Sequence, residues 1–175
     1  MFPNPYIFLR YTLMKERLQQ LARQARLQKK TFQKTIQKIK KRPPKNFDYL
    51  MADLNEKVFE RIDCLTCANC CKTTSPIVTE KDIDRMAKFL KMPAQQFIAQ
   101  YLKRDTDGLW MMQETPCPFL QTDNYCLIYE ARPKACREYP HLNRKKNIQL
   151  LHLHLKNTEI CPAVFDAFEI LSHQK

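Results

Sequence analysis

The sequence predicts a mainly α fold: a small, irregular, cysteine-rich domain with a few short strands, preceded by a long basic amphipathic helix. Three observations carry that expectation. Apolar residues recur at spacings of three and four along most of the chain, the period of a helix. The excess positive charge is confined to the first 46 residues, which hold thirteen Lys or Arg and one acid, Glu16, whereas residues 47–175 hold seventeen of each sign. Eight cysteines are joined by short, irregular connections, four of them in the stretch "CLTCANCC".

The arm comes first. Met14, Leu18, Leu21, Ala25, Phe32, Ile36 and Ile39 mark one face of a helix over Thr12–Lys41, with one gap at Gln28. "KRPPKN", Lys41 to Asn46, reads as a hinge, because prolines end the helix before them. Residues 1–46 are therefore expected to be an arm and hinge, and residues 47–175 a cysteine-cluster domain. The arm reads as a basic helix laying its apolar stripe on the domain or on a second copy. Its charge also suits an RNA backbone, an acidic protein partner or anionic lipid head groups at a membrane surface. An Arg-rich, acid-poor start would fit an organelle-targeting peptide as well, and Met14 is an alternative start to Met1.

In the domain, Phe47, Leu50, Leu54, Val58 and Ile62 predict a helix delivering the chain into a loop that carries the first four cysteines. Thr79 reads as an N-cap with Asp82 three residues on, opening a helix that buries Ile83, Met86, Ala87 and Leu90. Pro93 opens another through Phe97, Ile98 and Tyr101, so a helical hairpin is expected beside the cysteines. Gly108 to Met112 reads as a short strand, and "QLLHLHL" as a second one by its alternation. Pro162 to Ser172 reads as a closing helix.

Composition excludes several functions. A lone glycine among 175 residues disfavours phosphate-cradling loops, and no Walker, Rossmann or G-x-S-x-G pattern occurs. No long uncharged apolar run predicts a membrane span. The opening "MFPNPYIFLRYTLM" lacks the basic region and small-residue cleavage site of a secretory signal, so a cytoplasmic, reducing location is expected. There, eight cysteines point to metal binding or redox chemistry ahead of disulfides.

Cys64, Cys67 and Cys70 have the C-x2-C-x2-C spacing of a loop that wraps a cubane (4Fe-4S) iron–sulfur cluster, whose fourth thiolate comes from elsewhere and is often followed by proline. Cys117 and Cys161 both precede a proline. Zinc accepts the same four thiolates, and C-x2-C is its usual paired spacing, so spacing leaves iron–sulfur and Zn2+ both open. Side chains on consecutive residues diverge, so Cys70 and Cys71 imply two metal centres or one polynuclear centre. All eight, Cys64, Cys67, Cys70, Cys71, Cys117, Cys126, Cys136 and Cys161, are candidate ligands, enough for two four-thiolate sites.

"CLTCANCC", "CPFL" at Cys117 to Leu120, "CLIYEARPKACREYP" at Cys126 to Pro140 and the final Cys161-Pro162 together resemble the CxxCxxCC cysteine-cluster family, also labelled YkgJ-like, a zinc- or iron-chelating domain. The resemblance covers about Ile62 to Phe165 and leaves the arm outside. It implies metal chelation. A similar cysteine pattern is associated with flagellin lysine methylation, where an iron–sulfur cluster is implied, but this chain is short for a methylase with its own cofactor domain.

Arg132 and Arg137 bring cations near the thiolates, which stabilises the ionised sulfur, and Pro133 constrains the course into Cys136. Tyr129 and Tyr139 read as apolar wall. His152 and His154 read as the polar face of an edge strand and His141 as a surface or structural residue, with no histidine required as a ligand. Asp82 and Asp84 fall where a helix N-terminus favours acids, and no catalytic constellation stands out. Three functions follow: a redox, electron-transfer or metallocofactor-assisting module; a structural zinc module whose basic arm binds RNA or a protein partner; and an iron–sulfur dependent modifying enzyme.

Overall fold

The computed structural model describes residues 5–173; the extreme N-terminal stretch, including Met1 and the apolar opening weighed as a leader, lies partly outside them. The protein is mainly helical with one small two-stranded sheet. It divides into two compact units, one formed by residues 1–67 and 140–175, the other by Ala68–Tyr139.

In the first unit, α1 (Pro5–Lys41) is a 37-residue helix, starting earlier than the apolar period alone indicated. α2 (Phe47–Phe59) follows the Pro43-Pro44 break. α3 (Cys64–Cys67) is a single turn, α8 spans Leu151–Asn157 and α9 spans Pro162–His173. The expected division at residue 46 does not coincide with the division of the fold. Leu21, Ala25, Phe32 and Ile36 of α1 share one core with Met51, Leu54, Leu151, Val164 and Phe168. The physical reason lies in the stripe itself, which was long enough to become one wall of a core. Phe32 meets Phe165 and Phe168 edge-on, at 5.7 and 5.5 Å between ring centroids. Gln28, the gap in the stripe, donates to Glu169 on α9 at 2.7 Å, and Arg17 pairs with Asp166 on the same helix.

"QLLHLHL" is not a strand. It forms a 3-10 turn, Asn147–Leu150, followed by α8. Helical geometry separates the two histidines: His154 is fully buried and His152 exposed. The alternation had a helical explanation too, because Leu151 and Leu155 are one turn apart and both face the core.

The second unit opens with α4 (Asn69–Thr73), and its hairpin is α5 (Glu80–Phe89) packed on α6 (Ala94–Tyr101). Thr79 and Asp82 form a reciprocal capping box as the sequence predicts. β1 (Leu102–Arg104) pairs antiparallel with β2 (Trp110–Met112), in the register Leu102 with Met112. The connecting turn places Gly108 at φ 77°, where a side chain is strained. Ile83, Met86, Phe97, Met112, Phe119 and Ile128 form the core, and α7 (Lys134–Glu138) closes the unit. No helix among the described residues is long and apolar enough to cross a membrane.

Candidate metal centre

The first four cysteines occupy two helical turns, not a loop. In the first unit, Asp63 organises the turn of α3: its carboxylate accepts the Leu65 amide at 2.9 Å and its carbonyl accepts the Thr66 hydroxyl at 2.9 Å. The turn sets Cys64 and Cys67 three residues apart, on neighbouring positions of one helical face. Cys64 is exposed and Cys67 buried. Cys161 stands just before α9, where Pro162 supplies no amide and the amides of Ala163 and Val164 donate to the sulfur. Burial pushes the Cys161 thiol up to about 12, partly countered by those amides, and negative charge on Cys67 or Cys64 would raise it further. These three thiols lie within one another's electrostatic reach.

In the second unit, Ala68 adopts a left-handed conformation (φ 48°) at the start of α4, an uncommon geometry for alanine. α4 carries Cys70 and Cys71. The Cys71 carbonyl accepts the Cys117 amide at 2.8 Å, which fastens the "CPFL" segment to it. A hydrogen bond from Cys70 lowers the Cys71 thiol to about 7; burial opposes this and the Lys72 charge assists. Cys71 thus ionises more readily than Cys117, Cys126 and Cys136.

Three further thiols of this unit, Cys117, Cys126 and Cys136, are held neutral. Burial lifts Cys117 to about 11 against donation from the Phe119 and Leu120 amides, with Cys71 and Cys126 adding repulsion. Burial also raises Cys126, opposed by the Ile128 amide, while Cys71 raises it and Arg132 lowers it. Cys136 is driven to about 12, first by burial and then by Cys71, Cys117 and Cys126, with Arg132 opposing. Four thiols therefore interact as one set: Cys71, Cys117, Cys126 and Cys136. Each makes the next harder to ionise, a conflict that a bound cation reverses.

No disulfide is formed among the eight cysteines of the described residues. As they stand, no group of three or more His, Cys, Asp or Glu side chains among the described residues has the arrangement of metal ligands. The donor chemistry nonetheless suits a thiophilic ion. The set offers four sulfurs, backbone amides aimed at Cys117 and Cys126, and one guanidinium in reach, features that tune metal–thiolate centres.

The surroundings differ in part from expectation. Arg132 is the cation that reaches Cys126 and Cys136, while Arg137 is exposed. Tyr129 is 53% exposed and lies beneath Arg132, its ring centroid 3.6 Å from the guanidinium carbon, so it supports the arginine and is no apolar wall. His154 bonds to Asn147 Oδ1 at 2.6 Å, and burial, then the His141 charge, lowers it to about 4.

Asp82 does more than cap α5. It is 1% exposed and accepts from Thr79, from Arg85 and from the Lys134 amide at 3.0 Å. Burial alone would raise this carboxyl, but the hydrogen bonds from Thr79, Arg85 and Lys134 outweigh it and hold the group below its usual value. Arg85 in turn donates to the carbonyls of Ala131 and Arg132 at 3.3 and 2.9 Å. Asp82 and Arg85 together fix the segment leading into Cys136. Sequence reasoning found only the capping role, since the second partner lies 52 residues away.

A cysteine-rich, mainly helical domain with no disulfides among the described residues fits the class of thiolate metal-binding proteins. This chain belongs to the CxxCxxCC family, described as "Putative zinc- or iron-chelating domain", which matches residues 63–162. It is also similar to "Uncharacterized protein MJ0661" of Methanocaldococcus jannaschii, with 31% identity over 90 residues; the match spans 50% of this chain and 48% of that protein. No solved structure matches.

Proposed function

We propose that the protein holds zinc or iron through its cysteine thiolates and serves as a redox or metallocofactor-assisting module. The ligand set comprises Cys71, Cys117, Cys126 and Cys136 as one centre and Cys64, Cys67 and Cys161 as a second group. Cys70, hydrogen-bonded to Cys71, is the eighth. The observation that carries the reading is the mutual electrostatic coupling of the four thiols in the second unit, with backbone amides already donating to Cys117 and Cys126. A bound ion would supply the positive charge that lets the raised thiols ionise together. Cys71, more easily ionised than Cys117, Cys126 and Cys136, is the natural first ligand of their centre, and Arg132 offsets the charge remaining on the thiolates.

Anaerobic purification followed by metal and sulfide analysis tests this, with serine placed at each cysteine in turn. Loss of the same metal complement from the Cys71, Cys117, Cys126 and Cys136 variants supports a shared centre. Inorganic sulfide in the preparation selects iron–sulfur over zinc. A metal-free anaerobic protein, or full metal content in all eight variants, refutes ligation.

A structural zinc role is the second reading. It is favoured by the packing of Cys117 and Cys126 against the apolar core of their unit, where a metal would act as a staple for a small core. Under that reading the basic arm makes the contact with RNA or an acidic protein. A stable native fold after chelation would exclude it.

A further inference from the structure

We infer that the outward face of α1, extended at its C-terminal end by a second basic segment, is a binding surface for the phosphate backbone of a duplex nucleic acid. The inward face of α1 is spent on its own core: Leu21, Ala25, Phe32 and Ile36 are at most 3% exposed. Arg23, Lys30, Lys34 and Lys41 follow one another at intervals of seven, four and seven residues. At 100° per residue they fall within a sector of about 40° directly opposite the buried stripe, rising by about 10, 6 and 10 Å. All four are exposed, and none forms a salt bridge among the described residues.

The fold adds cations that sequence order separates. Asp48, three residues beyond Lys45, accepts the amides of Lys146 and Asn147 at 2.8 Å each, across 98 and 99 residues of chain. This contact fastens the exposed Arg144–Lys146 turn beside the hinge, with Lys146 at φ 58°. Lys40 meets His152 of α8 at 2.9 Å, so α8 lies along the same end of α1. The ridge therefore ends beside a basic cluster of Lys41, Arg42, Lys45, Lys145 and Lys146.

The geometry selects the occupant. Insertion into a lipid interface needs a free apolar face along the helix, and from Leu21 to Ile36 that face of α1 is buried; beside the ridge Leu27 alone is an exposed large apolar residue, the exposed Leu9, Tyr11 and Leu13 lying before Arg23, where the ridge begins. The ridge carries no aromatic residue on which unpaired bases could stack. Repeated cations along one face of a long helix suit an equally regular line of negative charge, and a duplex presents about one charge per 1.7 Å of axis. The reading is independent of the metal.

The test uses the full chain as purified with its metal and a fluorescent 20-base-pair RNA duplex of arbitrary sequence, titrated by anisotropy at several KCl concentrations. A variant carrying Lys41→Glu, Arg42→Glu, Lys145→Glu and Lys146→Glu should lose on the order of 100-fold in affinity at low salt, with a salt slope flatter by about 3 to 4. The same positions changed to Gln should give a smaller loss in the same direction. Lys88→Glu with Lys103→Glu, exposed in the other unit, should leave binding intact. Metal content and melting should match wild type in the Gln variant. Unchanged affinity in both four-site variants overturns the proposal. So does binding to phosphatidylserine vesicles without binding to the duplex, or equal competition by poly-glutamate at matched charge. A DNA duplex serves as a second arm, and duplex binding of either kind, lost in the Glu variant, sustains the proposal.

Discussion

His154 and Asp82 show how one buried polar group ties distant segments together. His154 sits at zero exposure with its partner Asn147, which donates to the carbonyls of His141 and Arg144 at 3.3 and 3.1 Å. Its folded pKa lies below its unfolded value, at about 4 against 6.5. Above pH 6.5 both states are neutral and nothing is lost. As pH falls below 6.5 the unfolded chain gains a proton that the folded chain refuses until about pH 4, so stability declines across that window by up to about 3 kcal/mol. Urea unfolding of the metal-free protein at pH 7 and pH 4.5 should show the decline, and His154→Gln should abolish most of it. Asp82→Asn is expected to cost about 2 kcal/mol, a modest figure because Arg85 remains partly in water. By loosening the approach to Cys136 it should also weaken metal retention about 10- to 100-fold, which chelator competition measures. An Asp82→Asn protein that retains metal as wild type does would separate this node from the thiol set.

At the scale of elements, α1 governs the first unit. Phe32, fully buried between Phe165 and Phe168, is expected to cost about 3 to 5 kcal/mol on change to Ala, seen as an early melt by circular dichroism. Deleting residues 1–42 strips Leu21, Ala25, Phe32 and Ile36 from the core they share with α2, α8 and α9. The truncated chain should aggregate or lose the cooperative melt of that unit; a soluble, cooperatively folded truncation would show that α1 is dispensable. The capping box of α5, the start of α9 and the helix after the hinge were readable in advance because each rests on residues three or four apart. α8 departs from the expected strand because Leu and His alternate over too few residues for period two to be told from a helical turn.

For the molecule as a whole, the two units are expected to depend on metal to different degrees. The core of the Ala68–Tyr139 unit is the smaller, and Cys117 and Cys126 pack against it. Removing the metal is expected to expose the amides of α5 and α6 to hydrogen exchange, while α1, α2 and α9 stay protected by their own core. Equal loss of protection throughout the chain would mean that the units unfold together.

The sequence by itself determined the chemistry: eight cysteines, a spacing that fits zinc or iron, and a family to which the chain belongs. It also determined most helices, because their signals are local periods, caps and prolines. Only the tertiary structure divided the thiols, coupling Cys71 with Cys117, Cys126 and Cys136 while Cys64 and Cys67 fell with Cys161. It alone turned the basic arm into the wall of a core, and brought Lys146 to Asp48 and Lys134 to Asp82. Local patterns record which face of an element is apolar. The surface that covers that face, and the carboxylate that meets a given amide, are set by contacts between residues far apart in the chain, and those contacts leave no period in the sequence to read.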